Sequence, residues 1–510
     1  MALAILLACC ALPVPALAEP ADIDAASRGV VRVIVIEERD GELYPISHGT
    51  GFAVAPELIV TNAHVVAEAR DDRTLSIGIV PSDGGNAIYG RLMAWSPEND
   101  LALLSTTSPM NLSPLTISGS DMSDAEGVTA VGFPMNVDRA QGLGNRELFL
   151  PQPPVKSRGF LSGHRPTRDF DTILHTAPVA RGSSGGPLLD NCGRVVGVNS
   201  FGAESNGTDA EFYFAVATSE LLPFLRKNGI VPQVNGLPCK SLAELDAEER
   251  VRAEREMLAS ERLVEADRLR LEQREELARR SAEFDVMAAR ENRMMLAMLL
   301  LLGAIGGAYA AWLAHEAGDR HRSQFAGGAA GAVLLLALVV WLSRPGFDAI
   351  EERVNDALAT PEPTEGPSGV IPASPDAGKL ICVLDVDRSR VTSGETADVP
   401  LNWRDDGCVN ARTQYGPKDG KWSRILVPSD EAAVSVNSYD PKTREYRVER
   451  YLLGREAMEA LREARGKYTT PACGADEAAV RKLGSDQATI AGMLPSSPNE
   501  RLVYTCHKAE

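Results

Sequence analysis

Between residue 28 and residue 230 the chain reads as short apolar runs cut by Gly, Pro, Asn and Asp. Examples are "GVVRVIVIE" (29–37), "GTGFAVA" (49–55), "ELIVTN" (57–62), "LSIGIV" (75–80), "DLALLS" (100–105), "GVTAVGF" (127–133) and "GRVVGVNSF" (193–201). Many short strands with close turn signals predict an all-β sandwich or barrel.

The pattern changes over 240–293. "ELDAEERVRAEREMLASERLVEADRLRLEQREELARR" lacks Gly and Pro and is full of helix formers. Acids precede arginines by four at Asp246/Arg250, Glu248/Arg252, Glu275/Arg279 and Glu276/Arg280, a spacing that supports a solvated helix. Met257, Val264 and Leu271 fall seven apart, but the companion column holds Ser260, Asp267 and Arg274. The coiled-coil seam is therefore unfilled, and a charged stalk is expected, with weak dimerisation as the alternative. Fully helical, it would span roughly 80 Å.

Two apolar runs follow, 294–314 ("MMLAMLLLLGAIGGAYAAWLA") and 326–342 ("AGGAAGAVLLLALVVWL"). The first is long enough to cross about 30 Å of hydrocarbon and the second sits at the short end. Gly and Ala let two such helices approach closely, and Trp312 and Trp341 fall near the ends, where aromatic belts form. The alternative is a buried core hairpin. Residues 343–378, with "TPEPTEGPSGVIPASPDAG", are expected to be an extended Pro-rich linker. Beyond it, 379–510 predicts a small mixed α/β domain, with strands at "LICVLDV" and "REYRVERYLL" and one helix at "GREAMEALREARG".

At 510 residues the chain exceeds what one core supports. Its net charge of −18 argues against nucleic acid, which wants a basic surface. Residues 1–18 are apolar and end in Ala16-Leu17-Ala18, the pattern of a cleaved signal peptide, although a positive leading region is missing. A lipoprotein signal with Cys9 is the alternative. Two spans return the chain to its starting side. Arginines on both sides leave the positive-inside count undecided, so the signal peptide decides: the loop 315–325 would be cytoplasmic and both flanking portions outside the cytoplasm. Six cysteines lie in those outer portions, Cys192, Cys239, Cys382, Cys408, Cys473 and Cys506, an oxidising setting. None has C-x-x-C spacing, so no zinc is expected. Of fifteen pairings, the one expected joins Cys192 to Cys239 and pairs the other four within the C-terminal domain.

Candidate chemistry lies in "RGSSGGPLLD" (181–190). Gly182-Ser183-Ser184-Gly185-Gly186 fits an idle Gly/Ser turn, and it also fits the G-x-S-x-G nucleophile elbow. The elbow needs an acid and then a histidine downstream. There the chain offers His315 and His321, beside or in the loop between the apolar runs, and His507 in the tail. Upstream, "IVTNAHVV" sets His64 after one apolar strand and "ENDLALL" sets Asp100 at the mouth of another. The order His, Asp, Ser is that of chymotrypsin-like double barrels. A serine hydroxyl needs a neutral imidazole to take its proton, and the imidazole needs a carboxylate to fix its tautomer. Asp71 and Asp72 are rival carboxylates in a polar loop.

The stretch 47–230 resembles the trypsin-like peptidase domain of the HtrA (DegP-like) family. The resemblance is carried in order by "HGTGFAV", "LIVTNAHVV", "YGRLMAWSPENDLALL", "AVGFP", "ILHTAPVARGSSGGPLLDNCGRVVGVNS" and "FYFAVATSEL". It implies two six-stranded β-barrels within 19–235, with His64 as general base, Asp100 as its orienter and Ser184 as nucleophile. It also implies an oxyanion hole from the N–H groups of Gly182 and Ser184. Ser183 departs from the Asn or Asp of relatives, and no peptide-binding PDZ domain follows. Candidate specificity residues are Pro178, His175, Ser200, Phe201 and Gly202. With Pro178 six before Ser184 instead of an acid, a small or medium apolar side chain is expected before the cut. The expected protein is a membrane-tethered serine endopeptidase of a bacterial inner membrane, with both globular portions in the periplasm. Its substrates are polypeptides and it needs no cofactor. The C-terminal domain is a candidate partner-binding module, and the chain a candidate homo-oligomer. A catalytically silent chaperone or sensor, and an esterase, are the rival readings.

Overall fold

The computed structural model describes residues 20–120, 122–167, 170–202, 211–359, 378–394, 397–418 and 420–509, so the expected signal peptide lies outside the described residues. Residues up to 249 and those from 372 onward cluster as one compact unit, and 250–371 as a second.

The first unit begins with a closed six-stranded barrel. Its strands are β1 (Val30–Arg39), β2 (Glu42–Ala55), β3 (Leu58–Thr61), β4 (Leu75–Pro81), β5 (Ile88–Ser96) and β6 (Leu101–Thr106). They pair in the order β1-β2-β3-β6-β5-β4, and β4 closes on β1. The near-continuous apolar run of β1 follows from burial on both faces. Val31 and Val33 fill the barrel with Ile59 and Ile79, whereas Ile34 and Ile36 pack outward under Leu148 and Phe149. The next strands are β7 (Ile117–Ser118), β8 (Gly127–Gly132), β9 (Val155–His164), β10 (Thr172–His175), β11 (Pro187–Leu189), β12 (Val195–Gly202), β13 (Tyr213–Ala217) and β14 (Val234–Asn235). Pairing in the order β11-β8-β9-β10-β13-β12, with β12 returning to β11, closes a second six-stranded barrel, and β7 and β14 extend its wall. Phe52 and Leu101 of the first barrel share a buried cluster with Val131, Leu189 and Val216 of the second. The expected double barrel is therefore present.

The C-terminal segment is β-rich. Nine antiparallel strands are β15 (Gly378–Leu384), β16 (Val399–Trp403), β17 (Cys408–Val409), β18 (Thr413–Gln414), β19 (Gly416–Lys418), β20 (Lys421–Leu426), β21 (Ala433–Asp440), β22 (Glu445–Leu452) and β23 (Glu500–Lys508). They run β18-β17-β16-β15-β23-β22-β21-β20-β19. Trp403, 1% exposed, anchors the core beside Tyr439 and Trp422. The expected mixed α/β pattern is thus an antiparallel sheet with two helices, Arg455–Gly466 and Glu477–Ala491. The second helix escapes sequence reading because Gly484 interrupts its helix formers. The structure explains that glycine, since a Cβ there would lie 2.5 Å from the Pro417 carbonyl oxygen. Disulfides join Cys192 to Cys239, Cys382 to Cys506 and Cys408 to Cys473.

The stalk and first apolar run form a single 75-residue helix, Leu242–Glu316. Of the four acid–arginine pairs read from the sequence, Glu276–Arg280 closes at 2.7 Å, while Arg279 turns to Glu283 and Asp246 to Arg501. A second helix, Arg320–Leu342, antedates the expected start of the second span. It packs closely on the first at Gly307, where a Cβ would lie 3.2 Å from that of Ala330. Both helices are long and apolar enough to cross a membrane, and only 11% and 6% of their most apolar windows are buried. The expected extended linker is partly helical, because "DAIEERVNDALA" has no Gly or Pro and forms Asp348–Ala359. Its Pro-rich part lies outside the described residues.

Ala is the better helix former by about 1 kcal/mol, yet Gly484→Ala is expected to destabilise the C-terminal segment by about 1–3 kcal/mol through overpacking. Thermal denaturation of the variant should give a lower Tm than that of the parent chain.

Candidate active site

Each barrel contributes one half of the site. His64 sits in the turn after β3, and Trp95 Nε1 donates to the Ala63 carbonyl beside it at 3.2 Å. Asp100 occupies the residue before β6 with φ of +50°, a left-handed conformation that Asp tolerates better than most residues. Asn62 Nδ2 donates to the Asp100 carbonyl at 2.9 Å, and the His64 N–H donates to Asp100 Oδ1 at 3.1 Å. Thus held, the Asp100 carboxylate meets His64 Nδ1 at 2.9 and 3.0 Å. Such contact puts the proton on Nδ1 and leaves Nε2 as a base. The imidazole is half exposed.

Ser184 lies in the loop between β10 and β11. Its hydroxyl donates to the Ser200 carbonyl at 2.8 Å, and the Ser200 hydroxyl donates to Asp100 Oδ2 at 2.5 Å. A continuous chain of contacts therefore runs from Ser184 through Ser200 and Asp100 to His64. Around Ser184 the loop is fixed by backbone bonds. The N–H groups of Ser183, Gly185 and Gly186 donate to Ala180, Asn199 and Ser183 at 2.9, 2.7 and 3.0 Å. Among the described residues, those of Gly182 and Ser184 donate to no other group. Two glycines make this path available. Gly182 has φ of +100° and Gly185 of +85°. A Cβ would sit 2.3 Å from the Phe133 carbonyl oxygen at the former and 2.2 Å from that of Thr50 at the latter.

The five candidate specificity residues are dispersed. Pro178 lines a cavity of about 540 Å³ with Val179, Ala180, Ser183 and Tyr213. Glu211, whose carboxylate accepts the Tyr213 hydroxyl at 2.6 Å, also faces that cavity. No distance from Ser184 along the chain signals this acid. His175 is fully buried on β10, stacked 5.9 Å from Tyr213. Phe201 is exposed on β12 against Phe214, next to Gly202, and Ser200 holds Asp100. Sequence reading also missed Thr50, whose hydroxyl donates to the Gly182 carbonyl at 2.7 Å.

Residues 49–198 match the family described as trypsin-like peptidase domain, in keeping with this fold and this grouping. The relatives are HtrA/DegP-like serine proteases. The chain is 34% identical over 190 residues to mitochondrial serine protease HTRA2 of Bos taurus, covering 37% of each chain. It is 32% identical over 184 residues to a probable periplasmic serine endoprotease, DegP-like, of Brucella suis, covering 36% of this chain and 33% of the relative. To serine protease Rv3671c of Mycobacterium tuberculosis it is 28% identical over 240 residues, 45% of this chain and 54% of that one. The chain thus spans between a third and about half the length of these relatives. The crystal structure of the active form of Rv3671c superposes with a TM-score of 0.33 at 23% identity, over 44% of this chain and 90% of that chain.

Burial pushes the His175 imidazole down from 6.5 to about 4. Between those values the unfolded chain takes up a proton that the folded chain refuses. Stability is therefore expected to fall as pH drops from 6.5 towards 4, by on the order of 3 kcal/mol in total. His175→Leu should flatten the dependence of Tm on pH over that window.

Proposed function

We propose that the chain is a membrane-tethered serine endopeptidase that cleaves extracytoplasmic proteins through an acyl-enzyme. The observation that carries this reading is the contact chain linking Ser184, Ser200, Asp100 and His64 beside two uncommitted N–H groups. In the reaction, Ser184 Oγ turns from the Ser200 carbonyl to His64 Nε2, gives up its proton and attacks the scissile carbonyl carbon. The carbonyl oxygen becomes an oxyanion, which accepts from the Gly182 and Ser184 N–H groups. Asp100 steadies the imidazolium, which then protonates the leaving amine as the C–N bond breaks. Water, deprotonated by the same imidazole, releases the acyl group and restores the serine.

The two apolar helices support a membrane anchor. The apolar leader and the disulfides support a bacterial inner membrane, with the peptidase and C-terminal portions in the periplasm. The C-terminal segment is read as a site for a protein partner, and the chain as a homo-oligomer. One observation favours a catalytically silent scaffold instead, namely that the Ser184 hydroxyl is turned to the Ser200 carbonyl in this structure. Apo sites often tighten only with substrate, so turnover decides between the two.

A fluorophosphonate probe is expected to label the folded wild type. Ser184→Ala should abolish labelling and lower kcat by on the order of 10⁶, whereas Ser183→Ala should leave labelling largely intact. An unlabelled but folded wild type would establish the silent reading.

A further inference from the structure

Behind the catalytic loop lies a buried ionic cluster that the reaction as written does not use. Arg32 on β1 is 1% exposed and Asp138, in the helix Met135–Ala140, is 7% exposed. Arg32 Nη2 donates to Asp138 Oδ1 at 2.8 Å and Nη1 donates to the Leu148 carbonyl at 3.1 Å. The guanidinium also lies 4.7 Å from the centre of the Phe133 ring. His48 on β2 completes the group. Its Nε2 donates to the Phe133 carbonyl at 3.1 Å and lies 3.2 Å from Asp138 Oδ2. Burial, and then the Arg32 charge, hold this imidazole below its usual pKa. A neutral ring with its proton on Nε2 suits the carbonyl it meets.

The cluster is the floor beneath Gly182. A Cβ on Gly182 would lie 2.9 Å from His48 Nε2 and 3.1 Å from the Met135 nitrogen. The Met135 N–H donates to the Arg181 carbonyl at 2.7 Å. The peptide bond is planar and trans, so holding the Arg181 C=O on this side aims the Gly182 N–H the opposite way, away from Met135. A flipped peptide would withdraw that donor and present a carbonyl in its place. Met135 and Asp138 share one short helix, and Asp138 is what ties the helix to both barrel strands.

We propose that Arg32, Asp138 and His48 are positioning residues that fix the Arg181–Gly182 peptide and thereby orient one donor of the oxyanion hole. This deepens the endopeptidase reading and rests on it for its catalytic consequence. A buried ion pair contributes little net stability compared with apolar packing, which accords with a role in geometry. Oxyanion contacts act in the transition state and not in substrate binding, so loosening the peptide should lower kcat and spare KM.

The test uses the full chain in detergent, with His48→Ala, His48→Gln and Asp138→Asn compared with wild type. Three quantities are read: casein-peptide kinetics, the rate of fluorophosphonate labelling, and amide hydrogen exchange over 178–186. His48→Ala and Asp138→Asn should lower kcat and labelling rate about 10²- to 10³-fold, the range for loss of one oxyanion donor, with KM within about twofold. Exchange should accelerate over 178–186 and not in β1–β6. His48→Gln, which keeps a side-chain N–H, should regain most of the loss. The proposal is overturned if kcat is unchanged, if KM and kcat decline together, or if exchange accelerates across both barrels. Should wild type resist the probe, the endopeptidase reading falls, and exchange still decides the cluster. Acceleration confined to 178–186 supports it, and unchanged exchange there overturns it.

Discussion

Thr50 is fully buried at the join between the two barrels, and every polar group it carries is committed. Its N–H donates to the Ser184 carbonyl at 2.9 Å and its own carbonyl accepts from Thr61 Oγ1 at 2.7 Å. Its hydroxyl donates to the Gly182 carbonyl at 2.7 Å while accepting from the Phe133 N–H at 3.0 Å. One residue of the histidine-bearing barrel thus holds the serine loop on both sides of Ser183 and the start of the segment beneath it. A hydroxyl is required, because only a group that donates and accepts meets both partners. An apolar side chain of the same shape would leave a buried N–H and a buried C=O unsatisfied.

That join explains the division of labour in the site. The imidazole and its carboxylate come from the rims of the first barrel, and Ser184 and the two free N–H groups from a loop of the second. Neither half holds the complete set, so the contact between barrels sets the geometry of the chemistry. Ser200 also reaches across, its hydroxyl donating to Asp100 of the first barrel while its backbone carbonyl accepts from Ser184.

The C-terminal sheet belongs to the same compact unit as the peptidase domain. Arg390 forms a buried ion pair with Asp22, and Asn499 Nδ2 donates to the same carboxylate at 2.9 Å. Asn235 of β14 donates to the Val391 carbonyl at 2.8 Å, and Arg390 Nε to that of Lys240 at 2.9 Å. The Cys192–Cys239 disulfide lies beside Arg390. Buried polar groups specify register when all are paired, so these contacts make the sheet a fixed neighbour of the peptidase fold.

The order His64, Asp100, Ser184, with the first two at the ends of strand-like runs, pointed to the double barrel and away from a hydrolase elbow. The two long apolar helices were equally legible, because helix periodicity and hydropathy are local properties. Other features were not local. Ser200 is 100 residues from the carboxylate it holds. Thr50 and Gly182 are 132 apart, and Arg32 and Asp138 106 apart. Gly484 packs against the Pro417 carbonyl, on a strand far from it in sequence. The chain alone determined the candidate residue types, Ser, His and Asp, and the order in which they appear, since these are written in composition and strand spacing. Only the tertiary structure decided which hydroxyl holds Asp100, which peptide is held open beneath Gly182 and which acid faces the cavity. Those choices depend on side chains far apart in sequence that meet only once two barrels have closed and packed.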